Sequence, residues 1–265
     1  MTASNFEVWT VEEPYVDCHC KLGEGPLRKG DQHTIQLDRP VTVTADIEGV
    51  NPAEKILIGI KYGLAVLDRK TGTYEYVAKL TESPNERVRT NDGGADIKGR
   101  FWLGTMTDFN LGEFQPEGGL FRFDSSGSSE LIKELTIPNS VGCEIFAFDY
   151  DVETGEISNK RLFYKHEGSG GPDGFRVDVN GFIWHAVYGE SRVLKINPEG
   201  KLVGEVRLPT RNITCTQFVG TELYITTAND DEAEGGERSK NLGGGLFKVD
   251  VGVEGLPLFP YKLQV

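Results

Sequence analysis

The sequence lacks the long apolar run that a membrane-spanning helix needs. No stretch approaches the roughly 18 consecutive apolar residues of such a span, and the polar start Met1-Thr-Ala-Ser-Asn has none of the apolar core of a secretory signal. We therefore expect a cytoplasmic protein with no membrane partner. Basic residues are also scarce: 28 Lys and Arg face 41 Asp and Glu, a formal net charge of −13. This balance argues against nucleic acid as a partner and tolerates divalent cations.

Cysteine and histidine are few and are not spaced as metal ligands. The four cysteines include no Cys-x-x-Cys pair, and Cys18 and Cys20 are too close in sequence for an easy disulfide. We expect buried free thiols. The four histidines have no ligand spacing, and His185, which follows Trp184, is predicted to be a packed ring rather than a base.

Familiar catalytic motifs are absent as well. There is no Gly-x-Ser-x-Gly elbow and no His-Glu-x-x-His helix, so serine-hydrolase and zincin interpretations have no support. Gly168–Gly174 is predicted as a glycine-rich loop, but it lacks the Gly-Lys-Ser/Thr ending of a phosphate loop. The charged segment Asn229–Asn241 is predicted as a solvated surface loop.

A repeat is present. Asp96-x-x-Gly-x-x-Trp102 recurs as Asp178-x-x-Gly-x-x-Trp184, an offset of 82 residues or two units of 41. An Asp-Gly pair precedes each copy, Asp92-Gly93 the first and Asp173-Gly174 the second. A unit of about 40–45 residues is typical of the four-stranded blade of a β-propeller. We predict one all-β propeller domain over residues 1–265. The stretch Arg89–Met106 is predicted as a polar, glycine-rich loop that leads into a buried strand.

Hairpin turns give a second repeated signal. An apolar residue, then Asp or Asn, then Gly three or four positions later predicts the outer turns of the blades. The spacings between successive turns are 56, 27 and 46 residues, and 27 is too short for a blade. We therefore predict a missing portion between Asp124 and Asp151. The four turns are Asp68…Gly72, Asp124…Gly127, Asp151…Gly155 and Asn197…Gly200.

Oxygen-bearing side chains beside glycines are the remaining candidates for chemistry. Carboxylates and amides suit Ca²⁺, Mg²⁺ or Mn²⁺ better than soft metals. Their wide separation means that only the fold could bring them together, and an ordinary turn with a solvated carboxylate is an equal alternative for Glu24. The candidates are Glu24, Asn91, Asp92, Asn139 and Asp173.

Several of these motifs together resemble the SMP-30/gluconolactonase/LRE-like family, also described as regucalcin-like. The resemblance covers most of the chain from about residue 18. It implies a six-bladed β-propeller with one divalent cation (Ca, Mn, Mg or Zn) at the top of the central channel, and activity on sugar lactones. The motifs are Leu22-Gly-Glu-Gly-Pro26, Arg89-x-Asn91-Asp92-Gly93, Asp96-x-x-Gly-Arg-Phe-Trp-x-Gly-Thr-Met106, Thr136-Ile-Pro-Asn139, Phe148-Asp-Tyr-Asp and Pro172-Asp173-Gly174.

By this resemblance Glu24, Asn139 and Asp173 match the metal ligands. Arg89 and Asn91 match residues that contact the substrate, and Asp173 is also the expected catalytic proton acceptor. The implied function is metal-dependent hydrolysis of a small-molecule sugar lactone, in which activated water attacks the polarised carbonyl. Two alternatives stay open: a phosphotriesterase of the same fold, and a non-catalytic divalent-cation-binding propeller. No oligomeric state is indicated.

Three departures from the family pattern affect these expectations. Phe109, next to Asp108, replaces an acidic residue that some members use to contact substrate. Two hairpins of the family pattern are missing, one after Leu27 and one after Asn139. We therefore predict a shortened propeller with incomplete blades, or a sequence from an imperfectly spliced gene.

Overall fold

The computed structural model describes residues 6–22, 35–83, 85–124, 127–136 and 143–263. Within these ranges the chain is almost entirely β, with a short 3₁₀ helix at Phe109–Leu111 and one α-helix, α1, at Glu237–Leu242. Neither helix is long and apolar enough to cross a membrane. The strands are β1 Glu7–Thr10, β2 Val41–Ala45, β3 Lys55–Ile60, β4 Gly63–Asp68, β5 Tyr74–Lys79, β6 Val88–Ala95, β7 Phe101–Thr107, β8 Gly118–Asp124, β9 Gly127–Leu135, β10 Glu144–Tyr150, β11 Ile157–Lys165, β12 Gly171–Val177, β13 Ile183–Tyr188, β14 Arg192–Ile196, β15 Leu202–Arg207, β16 Ile213–Val219, β17 Glu222–Thr227 and β18 Leu246–Asp250.

Consecutive strands pair as antiparallel meanders. β2–β5 and β6–β9 form four-stranded sheets, β16–β18 a three-stranded sheet and β10–β11 a two-stranded sheet. β12–β15 form a further meander, and β1 adds to the edge of β15 in parallel. Four of the five sheets thus have the meander of a propeller blade. The all-β prediction is confirmed, whereas the count of six blades stays a prediction.

The chain divides into two compact units. Unit 1 comprises residues 1–26, 142–149 and 158–257, and unit 2 comprises residues 27–141, 150–157 and 258–265. Each has its own apolar core. The core of unit 2 includes Leu57, Leu64, Phe101, Leu103 and Phe123. The core of unit 1 includes Trp184, Val193, Val206, Ile213 and Phe247. A single domain over residues 1–265 stays a prediction.

The repeated Asp-x-x-Gly-x-x-Trp motif forms the same turn twice. Trp102 Nε1 donates a hydrogen bond to Asp96 Oδ2 at 3.1 Å, and Trp184 Nε1 donates to Asp178 Oδ2 at 2.9 Å. In both copies the other carboxylate oxygen accepts two backbone N–H groups of the turn. The glycine has a φ of 80° in one copy and 84° in the other, a conformation that glycine adopts without a steric penalty. The repeat is therefore structural, since it closes the turn between the first two strands of a meander.

The predicted outer turns are confirmed. Each joins two antiparallel strands: β4 to β5, β8 to β9, β10 to β11, and β14 to β15. In the first of these turns the N–H of Gly72 donates to the carbonyl oxygen of Asp68 at 2.9 Å. In the third, Gly155 donates to Asp151 at 2.8 Å.

Two segments predicted as glycine-rich loops are strands instead. The polar first half of Arg89–Met106 lies within β6, and the predicted loop Gly168–Gly174 gives way to β12 at Gly171. Glycine marks close backbone approach here rather than a loop. An ideal Cβ on Gly93 would lie 2.3 Å from the carbonyl oxygen of Trp102 on the neighbouring strand.

The two-stranded sheet lies in the interval that is too short for a blade. Among the described residues, β10 and β11 pair only with each other, and neither strand contains a buried residue. By contrast, six of the seven residues of β7 are buried. Among the described residues this sheet thus has two strands rather than the four of a complete blade.

Candidate functional site

The predicted site residues fall into three groups. Arg89 and Asn91 lie together on β6 of unit 2, and Asp173 lies on β12 of unit 1. Glu24 and Asn139 lie outside the described residues.

A β-bulge shapes β6 at the predicted substrate residues. Thr90 pairs with Thr105 and Gly93 with Leu103, so three steps along β6 match two along β7. The extra residue falls at Asn91-Asp92, where Asp92 Oδ1 accepts the N–H of Gly93 at 2.7 Å. Bulges re-aim side chains and are frequent beside active sites. The polar side chains of Asn91 and Asp92 therefore leave the regular alternation of the strand.

Arg89 is buried at the start of β6, with 5% of its surface exposed. Its Nε donates to the carbonyl oxygen of Thr90 at 3.2 Å, and the Thr90 hydroxyl is bonded to that of Thr42 at 3.0 Å. A buried guanidinium is costly unless its N–H groups find acceptors. Arg89 is thus a fixed positive charge rather than a solvated surface group.

A partly buried ion pair links this end of sheet β6–β9 to sheet β2–β5. Asp108 donates its backbone N–H to the carbonyl oxygen of Arg87 at 2.6 Å, and its side chain binds Lys61 Nζ at 3.1 Å. Burial would raise the pKa of Asp108, but the N–H of Asn110 and the Lys61 ammonium outweigh it and lower that pKa. The Asp108 carboxylate is therefore ionised and is held in place by Lys61. Its place beside Phe109 was a sequence signal, whereas nothing in the sequence marked Lys61.

β12 contains the matching bulge around Asp173. Pro172 pairs with Val187 and Phe175 with His185, so the extra residue falls at Asp173-Gly174. An ideal Cβ on Gly174 would lie 2.5 Å from Cys215 Sγ, which shows how closely β12 packs on β16. Both Asp-Gly pairs of the sequence repeat thus lie at a bulge on the first strand of a meander. Sequence analysis paired the two dipeptides but missed the bulges.

Asp173 is half-buried among charged and aromatic side chains of unit 1. The pKa of nearby Tyr188 is raised first by burial and then by the Asp173 carboxylate, and Arg211 opposes this rise. Asp173 therefore supplies a hard oxygen donor in a partly desolvated setting. Within the described ranges, no three His, Cys, Asp or Glu side chains are grouped to hold a metal. The predicted ligands of a divalent cation, Glu24, Asn139 and Asp173, are two carboxylates and one amide. Divalent cations such as Ca²⁺ and Mg²⁺ prefer oxygen donors of this kind.

The charged segment near Asp173 is largely exposed, as predicted, but Asp230 is buried and the end of the segment forms α1. Asp230 is only 4% exposed and accepts the N–H groups of Glu234 and Gly235 at 3.1 and 2.8 Å. Arg211 forms an ion pair with Glu234 at 2.5 Å, and α1 follows. The prediction fails for Asp230, because its carboxylate accepts backbone N–H groups of a turn, which a count of charges does not reveal.

His185 is confirmed as a packed ring. It is 1% exposed, and burial, followed by the charge of His166, lowers its pKa to about 3. Its ring lies 6.4 Å from that of Phe175. With so low a pKa, the His185 imidazole does not take up a proton at physiological pH.

The cysteines are free but not uniformly buried. Cys215 is buried, Cys20 and Cys143 are intermediate, and Cys18 is exposed. The prediction of buried thiols is therefore wrong for Cys18. Residues 17–20 form no strand, and none of their side chains is buried.

Comparison with known proteins identifies the relatives of the chain. The model of the SMP-30/gluconolactonase/LRE-like region matches residues 19–229. Regucalcin from Bos taurus is 34% identical, with 92% of this chain and 95% of that protein aligned. Pentonolactonase XacC from Haloferax volcanii is 31% identical, with 92% and 96% aligned. The crystal structure of a calcium-binding regucalcin from Agrobacterium tumefaciens has a TM-score of 0.83 at 24% identity, and covers 98% of this chain and 99% of that one.

These alignments also show an internal shortening. The alignment with the Bos taurus protein runs over 290 positions but contains about 244 residues of this chain, which is 92% of 265, so about 46 positions lie opposite gaps. The structural similarity shows the all-β, propeller-like fold. On the extent of the family match and the identity to these relatives, the chain belongs to the SMP-30/gluconolactonase/LRE-like family.

Proposed function

We propose that this protein is a hydrolase of small sugar lactones that requires a divalent cation and has a shortened six-bladed fold. The observation that carries the proposal is its family membership, with a relative named pentonolactonase that aligns over 92% of the chain. The bulged Asp-Gly strands support it, because they are where the predicted substrate and cation residues lie.

Three residues would hold the cation in this proposal: Glu24, Asn139 and Asp173. Two carboxylates and one amide suit Ca²⁺, Mn²⁺ or Mg²⁺, and Zn²⁺ also accepts oxygen ligands. When bound, such a cation polarises a carbonyl oxygen and lowers the pKa of a bound water.

The side chains would divide the remaining work. Asp173 accepts the proton of the attacking water, which requires its carboxylate to be ionised. Arg89 donates hydrogen bonds to the developing oxyanion or to sugar hydroxyls, and Asn91 helps to orient the ring. Because Arg89 is buried and bonded to the backbone, little reorganisation is needed when charge develops.

A panel of aldonolactones, assayed with the purified full chain and each cation in turn, tests the proposal. Asp173→Asn should lower kcat/KM by roughly 100-fold or more, since it removes both a ligand and the proton acceptor. The matched control is Asp231→Asn, an exposed carboxylate of unit 1, which should retain full activity. Equal activity of Asp173→Asn and the wild type would contradict the assignment.

The missing positions favour a second candidate, a cation-binding protein without turnover. Thermal melts with chelator and then with each cation separate the two, because a ligand specific to the native state raises the midpoint. A rise that is lost in Glu24→Gln, with no lactone hydrolysed, would support the non-catalytic candidate. An organophosphate ester in the same panel tests the phosphotriesterase alternative.

A further inference from the structure

Cys18 and Cys20 place two free thiols side by side on unit 1. Cys18 is exposed and Cys20 is partly exposed. The Cys20 thiol donates to the carbonyl oxygen of Cys18 over 3.9 Å, and the Cys18 thiol donates to that of Val16 over 3.6 Å. Burial first, and then Cys20, raise the pKa of the Cys18 thiol, so the two thiols are close enough to interact. The two thiols are thus two residues apart on one segment, and both reach solvent.

The backbone that presents these thiols is fixed. Cys20 donates its N–H to the carbonyl oxygen of Gly244 at 3.1 Å, and Val16 forms a bridge with Leu246 next to it. The approach requires glycine, because an ideal Cβ on Gly244 would lie 2.2 Å from the Cys20 carbonyl oxygen. His19, between the cysteines, has a left-handed φ of 49°. The two thiols therefore lie on a segment whose backbone is hydrogen-bonded to residues 244–246.

The pair offers two soft ligands and no third. His19 points its Nδ1 to Asp17 at 3.2 Å, with 77% of its side chain exposed, and the described residues contain no group of three metal-binding side chains. Tetrahedral Zn²⁺ sites need three or four protein ligands. Thiolates select Cu⁺ over hard cations such as Ca²⁺, and a monovalent d¹⁰ ion accepts two ligands.

We propose that Cys18 and Cys20 form a two-thiolate binding site for a soft monovalent cation, Cu⁺. Binding replaces two S–H bonds with two S–Cu bonds and releases two protons to solvent, with no change of oxidation state. Burial, and then negative charge on Cys20, raise the pKa of the Cys18 thiol, so the metal-free pair resists full ionisation. Affinity should therefore increase as the pH rises. This site is independent of the proposed lactone chemistry, which uses hard oxygen donors.

Anaerobic titration of the full chain with Cu⁺, in competition with a chromogenic Cu⁺ chelator, tests the site. We expect one Cu⁺ per chain and an ultraviolet thiolate-to-copper absorption band. Cys18→Ser and Cys20→Ser should each weaken binding by roughly tenfold or more. Cys143→Ser, which removes a partly buried thiol elsewhere in the chain, should bind like the wild type.

His19→Asn is a second control. Asparagine tolerates the left-handed backbone but lacks the imidazole, so binding should persist. Circular dichroism checks that each variant is folded. Wild-type affinity in the Cys18→Ser/Cys20→Ser double variant would overturn the proposal, as would a loss in His19→Asn equal to that in Cys18→Ser.

Discussion

Sheets β6–β9 and β10–β11 are consecutive in the chain but differ in what they bury. Six of seven residues of β7 are buried, whereas β10 and β11 have none. β7 has a paired strand on both sides, while β10 and β11 have only each other among the described residues. A two-stranded sheet alone is marginally stable in water. Stability should therefore concentrate in the complete sheets.

A matched pair of leucines tests this contrast most strongly. Leu103 on β7 is 0% exposed and Leu162 on β11 is 52% exposed. Leu103→Ala should lower the free energy of unfolding by roughly 2–5 kcal/mol, because it leaves a cavity in the core. Leu162→Ala should change it by about 0.5 kcal/mol or less. Urea denaturation measures both, and similar losses would show that β11 is packed as tightly as β7.

The bulge on β6 gives a second matched pair. An ideal Cβ on Gly93 would lie 2.3 Å from the Trp102 carbonyl oxygen, whereas one on Gly94 meets nothing within 4 Å. Gly93→Ala should cost roughly 1–3 kcal/mol of stability, because neighbouring backbone must move. Gly94→Ala should be nearly neutral. If Gly93→Ala melted at the wild-type temperature, the result would contradict the close approach of β6 and β7 at Gly93.

Burial of His185 in sheet β12–β15 predicts a pH-dependent effect on stability. Native His185 stays neutral down to a pKa of about 3, whereas the unfolded imidazole titrates near 6.5. The unfolded state therefore binds the extra proton, and stability falls as the pH drops below about 6.5. His185→Leu should remove a slope of up to roughly 1.4 kcal/mol per pH unit.

Denaturation midpoints measured between pH 7 and pH 4 check this slope. The exposed His19→Asn variant is the control and should follow the wild type. Parallel profiles for wild type and His185→Leu would mean that His185 takes up a proton as readily in the native state as in the unfolded state.

The sequence allowed the outer turns to be predicted, because the Asp…Gly signals are local. The bulges on β6 and β12 were missed because polar, glycine-rich strands resemble loops until their partners are known. Lys61 and Asp108 are 47 residues apart and follow strands of two different sheets, so only the packing of these sheets reveals their contact. The burial of Asp230 was missed for a similar reason, because its hydrogen bonds and not its composition decide its exposure.

For the candidate site, the residues of interest came from the family resemblance and their settings came from the fold. Local pattern alone marked Asp92 and Asp173 as equivalent, through the repeated Asp-Gly pairs. The position of each side chain depends on strand register, which a single sequence does not encode locally. The position of Asp173 in the register of β12, rather than its residue type, thus distinguishes it from the carboxylates of loops.

Strand β1 pairs in parallel with β15 and covers the edge that β15 would otherwise expose. Glu7–Thr10 occupies the outer edge of sheet β12–β15, and Lys195 forms an ion pair with Glu7 at 2.5 Å. An uncovered strand edge is a template for pairing with other chains. Trimming the first ten residues would uncover β15, and the product should aggregate during purification even if its core stayed folded.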